Sequence, residues 1–217
     1  MNIEQARFNM IEQQIRPWDV LNLGVLELLA VVKREDFVPP GHRGMAFVDT
    51  EVPLPGGECM LAPKVEARLL QELAVHKHER VLEIGAGSGY MAALLAHKAQ
   101  HVTTLEIDPD LARFAAANLK RAGVANVTVT TADGAHALPT DGPFDVIVLS
   151  GSVAEVPEAL LAQLKVGGRL AAIVGDEPVM RAVLITRNAE HGLTRTVLFD
   201  TVATRLHGFK ELTRFHF

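Results

Sequence analysis

The sequence predicts a doubly wound α/β fold with a mostly parallel sheet and an N-terminal helical cap, on three observations. Past residue 80, short apolar runs alternate with amphipathic stretches, the pattern of βαβ units whose sheet is covered on both faces. Before residue 80 the patterning is helical, interrupted by proline and glycine. The first strand after that boundary runs into a glycine-rich turn, and open α/β sheets gather their ligands at the carboxyl ends of strands.

In chain order, Ile3 to Ile15 reads as a helix ended by Arg16-Pro17. A second helix follows Asp19, taken as its N-cap, and runs through Leu21, Val25, Leu28, Leu29 and Val32. Phe37-Val38-Pro39-Pro40-Gly41 breaks it, and residues 50–63, with Pro53, Pro55, Gly56, Gly57 and Pro63, read as an irregular loop. Pro63 opens a third helix through Val65, Leu69, Leu70 and Leu73. Strands are expected at 81–84, 102–107, 127–131, 145–149 and 170–174, and helices at 90–98, 110–121 and 157–164. Lys120 and Arg121 suit the negative end of the helix over 110–121, and Gly123 stops it. Two further β-like runs, 182–186 and 194–201, close the chain. Residues 1–62 form the cap and a loop within the same domain, and 63–217 the ligand-binding α/β part.

Composition removes several classes. With 48% hydrophobic residues and a net charge of −5, the 217-residue chain is neither disordered nor a basic nucleic-acid binder. Its single cysteine, Cys59, excludes an internal disulfide framework and fits a reducing compartment. The start Met1-Asn2-Ile3-Glu4-Gln5 has no apolar core of a signal peptide, and the apolar run Leu23 to Val32, broken by Glu27, rises only ~15 Å as a helix, about half a membrane. The expectation is a cytoplasmic protein without nucleic-acid or membrane partners.

The chemistry centres on Glu83-Ile84-Gly85-Ala86-Gly87-Ser88-Gly89-Tyr90. Glycines there let the backbone turn sharply and approach a ligand closely. The spacing is G-x-G-x-G rather than the G-x-G-x-x-G of dinucleotide sites. It suits S-adenosylmethionine, which has no phosphate to seat on a helix N-terminus. Glu106, followed by Ile107, ends the next strand, about 20 residues on, where an acid accepts from ribose hydroxyls. Asp133-Gly134 ends the third strand, within reach of an adenine amino group, and Ser150-Gly151 ends the fourth. Each has a bland alternative. The glycines could merely permit a turn, Glu106 could be a solvated strand end, and Asp133 could bond its own turn.

These residues carry a resemblance. Val81 to Tyr90 is similar to the first motif of the protein-L-isoaspartate O-methyltransferase family, and Ala132-Asp133-Gly134 to its G-D-G segment. Pro157-Glu158-Ala159-Leu160-Leu161-Ala162-Gln163-Leu164-Lys165-Val166-Gly167-Gly168-Arg169-Leu170, followed by Val174-Gly175, resembles its P-x-x-L-x-x-Q-L-K-x-G-G-R-L stretch. The likeness runs over about residues 1–175. It implies a Rossmann-like class I methyltransferase that uses S-adenosylmethionine to methylate isoaspartyl carboxylates in damaged proteins, a protein-repair activity. It also implies cofactor contacts from Glu83, Gly85, Ala86, Gly87 and Ser88, then Gly89, Tyr90, Glu106 and Ile107, and then Asp133, Gly134 and Ser150.

One departure stands out. The family's substrate loop reads roughly G-Q-T-I-S-x-P, with its serine assigned to the active site; here it is Gly57-Glu58-Cys59-Met60-Leu61-Ala62-Pro63. Leu61 takes the serine's place and cannot donate a hydrogen bond. The catalytic group is therefore left unassigned, with Cys59 and Asp49 the nearby candidates. Small-molecule methylation, or cofactor binding with little isoaspartyl activity, are the alternatives that Leu61 permits. A carboxylate acceptor is already ionised at pH 7 and needs no base; a phenol or amine would need one, for which His136, His42 and Asp49 are nearest. A nicotinamide reductase is disfavoured because the only tyrosine, Tyr90, has Leu94 where a Tyr-x-x-x-Lys pair needs lysine. No metal-ligand spacing is present, and His76-Lys77-His78 reads as a solvated helix end. Cys59 is a small buried filler or a reactive thiol. Phe209, Phe215 and Phe217 are core or edge packing, or a peptide-binding surface.

Overall fold

The computed structural model describes residues 2–189 and 192–211. Phe215 and Phe217 lie outside the described residues. Helix α1 (Ile3–Met10) starts on Asn2, whose side chain accepts the Gln5 amide. It continues as a wider π turn over Ile11–Ile15 and a tight turn over Arg16–Trp18, where Pro17 ends it. The cap of α2 (Leu23–Val31) is Asn22, which accepts from the Val25 amide, and not Asp19. Asp19 sits instead at φ 67, finishing the preceding turn.

The expected irregular loop 50–63 is a small antiparallel ribbon. Strand β1 (Val52–Pro53) pairs with β2 (Cys59–Met60) around a turn at Pro55–Gly57. Helix α3 (Pro63–Leu73) then buries Val65, Leu69, Leu70 and Leu73 as its spacing requires. It ends before His76, Lys77 and His78, which are all exposed.

From there the chain alternates. Strand β3 (Arg80–Ile84) leads to α4 (Tyr90–Lys98), β4 (His101–Glu106) to α5 (Pro109–Arg121), and β5 (Val127–Thr131) follows. Then come β6 (Phe144–Val153), the short α6 (Glu158–Ala162) and β7 (Leu164–Asp176). The helix expected to reach residue 164 stops early because Leu164, fully buried, is recruited to pair with Phe144. Strands β8 (Val179–Asn188) and β9 (Gly192–Thr201) complete a seven-stranded sheet in the order β5-β4-β3-β6-β7-β8-β9. The first five strands are parallel, and β8 and β9 fold back antiparallel.

Alternation along the strands separates two cores. Val81, Val146 and Val148 face one cluster, together with Met10, Leu29, Leu69 and Leu94; Leu82, Ile147 and Leu149 face the other, with Leu160 and Leu170. The N-terminal helices thus complete the first core and cover that face of the sheet. From β3 the chain winds outward through β4 and β5, then returns to β6 on the other side of β3 and winds away. Such a reversal leaves a crevice at the carboxyl ends of β3 and β6. Among the described residues no helix is long and apolar enough to cross a membrane.

Candidate functional site

A cavity of ≈ 230 Å³ opens over the carboxyl ends of β3, β4 and β6. Its floor is the turn from Gly85 to Gly89. Gly85 lies at φ 89 and Gly89 at φ 82, backbone conformations that side chains with a Cβ rarely adopt. The turn is tied down by its own amides: Gly85 and Ala86 both donate to the Leu105 carbonyl, at 2.9 and 3.2 Å. A Cβ on Gly89 would come within 3.1 Å of the Ala115 carbonyl, a tight contact between α4 and α5 that glycine avoids.

Glu106, at the end of β4, forms one edge. It is 6% exposed, and Oε2 accepts the Gly87 amide at 2.8 Å while Oε1 accepts the Asp108 amide at 3.2 Å. Burial raises its pKa, and the Gly87, Asp108 and Ile107 amides oppose that shift. The carboxylate is fixed in place with further acceptor positions on each oxygen. Ile107 and Asp108 continue the same wall.

Glu83 lies deeper and is fully buried. Thr104 and Ser150 each place a hydroxyl 2.7 Å from its carboxyl oxygens. Burial outweighs those two bonds, and nearby Glu66 and Glu106 add to it, so its pKa is pushed up to about 8. Ser150 therefore braces Glu83 from the end of β6. Ser88 and Tyr90 are buried in the wall, and the Tyr90 hydroxyl has no hydrogen-bond partner among the described residues.

Asp133 is placed differently from the expectation. Its carboxylate accepts the Ala135 amide at 2.9 Å and meets His136 Nδ1 at 2.9 Å. A Cβ on Gly208 would come within 2.5 Å of it. Burial pushes its pKa up, but the hydrogen bonds from His136 and Ala135 prevail and hold it below the usual range. Ala132 and Gly134 line the cavity on either side of it, while its own side chain is turned onto its turn. His136 is exposed on that turn. Asp49 is engaged by Lys64 at 2.7 Å, and neither it nor His42 lines the cavity.

The loop opposite the glycine turn supplies Cys59, Met60 and Leu61. Leu61 is 5% exposed, an apolar patch in the wall. Burial pushes the Cys59 thiol up, against a hydrogen bond with Thr204.

Several wall residues carried no sequence signal, Phe209 with its expected core packing apart. Residues 203–206 dock on the end of β6, where Ser152 and Leu206 exchange backbone bonds with their neighbours, and this lays Leu206 over Gly85 and Gly151. His207 and Phe209 follow; His207 Nε2 lies 2.7 Å from Glu58 Oε1, and Phe209 packs into the second core. Beneath Leu61 lies a buried ion pair, Arg34 with Glu66, 0% and 4% exposed. In sequence, Lys33-Arg34-Glu35-Asp36 looks like a solvated charge run. Only the apolar pattern on either side of Glu66 hinted that its position faces inward.

The walls thus carry Glu58, Glu66, Glu83, Glu106 and Asp108, with His207 but, among the described residues, no lysine or arginine. Such a cavity suits a ligand that bears positive charge and hydroxyl donors.

A family model described as "Protein-L-isoaspartate(D-aspartate) O-methyltransferase (PCMT)" matches residues 6–203. Among curated proteins, a protein-L-isoaspartate O-methyltransferase of Rhodopseudomonas palustris is 41% identical over 192 residues, 88% of each chain. One of Koribacter versatilis is 37% identical over 194 residues, 89% of this chain and 87% of that one. Among solved structures, a Plasmodium falciparum protein described as a protein-L-isoaspartate O-methyltransferase in complex with S-adenosyl-L-homocysteine shares the fold. It has a TM-score of 0.79 and 22% identity over 94% of this chain and 97% of that one. A second protein-L-isoaspartate O-methyltransferase structure gives a TM-score of 0.79 at 25% identity, over 93% of this chain and 66% of that one.

Proposed function

The chain belongs to the protein-L-isoaspartate(D-aspartate) O-methyltransferase family, and from that premise we propose that it is an S-adenosylmethionine-dependent carboxyl methyltransferase of isoaspartyl residues in damaged proteins. The observation that carries the reading is the acidic cavity bounded by the glycine turn and Glu106, with no lysine or arginine among its described wall residues. The residues fit S-adenosylmethionine. Its ribose has two hydroxyl donors, and Glu106 is a fixed acceptor. Its sulfonium is positive, and carboxyl groups rather than cations line the described walls.

When bound, S-adenosylmethionine would supply the methyl group of its sulfonium, an acceptor oxygen bonding to the methyl carbon in line as the carbon–sulfur bond breaks and its electron pair stays on sulfur. Alignment is the protein's main contribution to such a displacement. Glu106 would hold the ribose end. The Gly85–Gly89 turn, held on the Leu105 carbonyl, provides a rigid backbone floor. Glu83, braced by Thr104 and Ser150, sets the depth of the cavity between them. Leu206 lies over the turn and sheds water from it. An isoaspartyl carboxylate is ionised near neutral pH, so no residue has to remove a proton.

Leu61 supports a second reading. An apolar residue in the acceptor wall, 5% exposed, suits a small neutral acceptor as well as a peptide. An isoaspartyl peptide incubated with labelled S-adenosylmethionine separates the two. The first reading expects a base-labile methyl ester on the peptide. Labelled small molecules from a cell extract with an unlabelled peptide would favour the second. We further propose that the protein works in the cytoplasm, where its lone cysteine remains a thiol.

A further inference from the structure

Leu61 removes a hydroxyl from the acceptor end of the cavity, yet that end is not left apolar. Glu66 lies in the same wall, one helical turn into α3, and is 4% exposed. The guanidinium of Arg34 fixes it there: one arm contacts Glu66 Oε2, and the other donates to the Leu61 carbonyl at 2.7 Å. Arg34 also stacks over the Tyr90 ring, 5.0 Å from its centroid, so loop, α3 and α4 share one anchor. Oε1 of Glu66 has no hydrogen-bond partner among the described residues, and the residue faces the cavity.

Resting on the isoaspartyl reading above, we propose that Glu66 is the acceptor-binding residue, and that its protonated carboxyl donates a hydrogen bond to the acceptor carboxylate in place of the hydroxyl missing at position 61. Two carboxylates in one buried site cannot both stay ionised, and a shared proton is the usual outcome. The groups facing Glu66 favour that outcome. Among the described residues Arg34 is the one cation paired with it, and it is already engaged by the Leu61 carbonyl. Glu83 from β3 and Tyr90 from α4 add no positive charge. Behind Arg34, the Arg7 and Glu35 side chains pair with each other. Burial outweighs Arg34 and pushes the Glu66 pKa up to about 7, and an incoming carboxylate raises it further. The proton stays on Glu66 through methyl transfer: the free acceptor oxygen attacks, and a neutral ester leaves. Arg34 acts through Glu66 and is a positioning residue.

Calorimetry of an isoaspartyl peptide binding to the S-adenosylhomocysteine complex at pH 8, in two buffers of different ionisation enthalpy, counts the protons. Wild type should take up about one proton per peptide, the signature of linkage to a group whose pKa rises on binding. The same peptide with a carboxamide in place of the carboxylate should take up none. Glu66→Gln, a neutral donor of the same shape, should bind the carboxylate peptide with no uptake and keep methylating it. Glu66→Leu should bind that peptide about tenfold or more weakly, the loss of a hydrogen bond to a charged group, with S-adenosylhomocysteine affinity unchanged. Uptake that persists in Glu66→Gln, or equal uptake with the carboxamide peptide, overturns the role of Glu66 and leaves the isoaspartyl reading standing. A wild type that neither binds nor methylates the isoaspartyl peptide overturns both.

Discussion

Glu106 Oε2 accepts the Gly87 amide proton at 2.8 Å, so the end of β4 and the glycine turn after β3 are locked to each other before any ligand arrives. The bond fixes the carboxylate and the backbone floor as one rigid unit. Glu106→Ala should therefore weaken S-adenosylmethionine and S-adenosylhomocysteine together, by ~1–3 kcal/mol for a lost buried partner. Isothermal titration reads this directly, and unchanged affinity would take Glu106 out of the site.

Glu83 makes stability depend on pH. Its folded pKa, pushed up to about 8 by burial, exceeds its ordinary value of 4.5, as does that of Glu66 at about 7. A raised carboxyl pKa gives stability that is complete below the unfolded value and lost as pH rises through the folded one. His97 works against this near neutrality, because burial and Lys77 lower its pKa. The comparison must therefore be between variants. Between pH 5 and pH 9 the melting temperature of Glu83→Gln should fall less than that of wild type. Parallel curves would mean that Glu83 does not titrate in this range.

Arg34 holds a buried charge, a carbonyl and an aromatic face. At pH 8, where the paired Glu66 is ionised, Arg34→Met leaves it buried without its cation and should lose ~3–5 kcal/mol of stability, as breaking a buried pair does. Adding Glu66→Leu should restore part of that loss, because no uncompensated charge remains. Urea denaturation of the two variants checks the order; a double variant less stable than Arg34→Met would contradict it.

Leu61→Ser exchanges a buried apolar side chain for a small hydroxyl. Losing most of the side chain should lower stability by about 2 kcal/mol or more, the low end for a leucine truncation, since a cavity already adjoins it. The new donor should raise kcat/KM for an isoaspartyl peptide. No gain in a folded variant would show that position 61 does not limit acceptor binding.

Much of this architecture was legible in the chain. Tyr90–Lys98 and Val127–Thr131 stand where period and flanking residues put them, because local patterning and tertiary burial agree there. The cap of α2 was misplaced because Asp19 and Asn22 are both good cap residues, and only the backbone at Asp19, φ 67, decides between them. The acceptor end was hidden for a different reason. Arg34 and Glu35 sit in a run of charges that reads as solvated, yet they are 0% and 9% exposed because Glu66 and Arg7 meet them from distant helices. Pairing across 32 residues leaves no local trace. Leu206 and His207 were equally silent, since their role comes from docking on β6 rather than from any motif. Asp133 shows the converse: a motif residue at the right strand end, with its carboxylate turned onto Ala135 and His136.

The most direct test is a crystal structure of the protein with S-adenosylhomocysteine. The account predicts density across the ends of β3, β4 and β6, with both ribose hydroxyls on Glu106 and the sulfur facing Leu61 and Glu66. A ligand bound elsewhere, or a ribose turned away from Glu106, would contradict it.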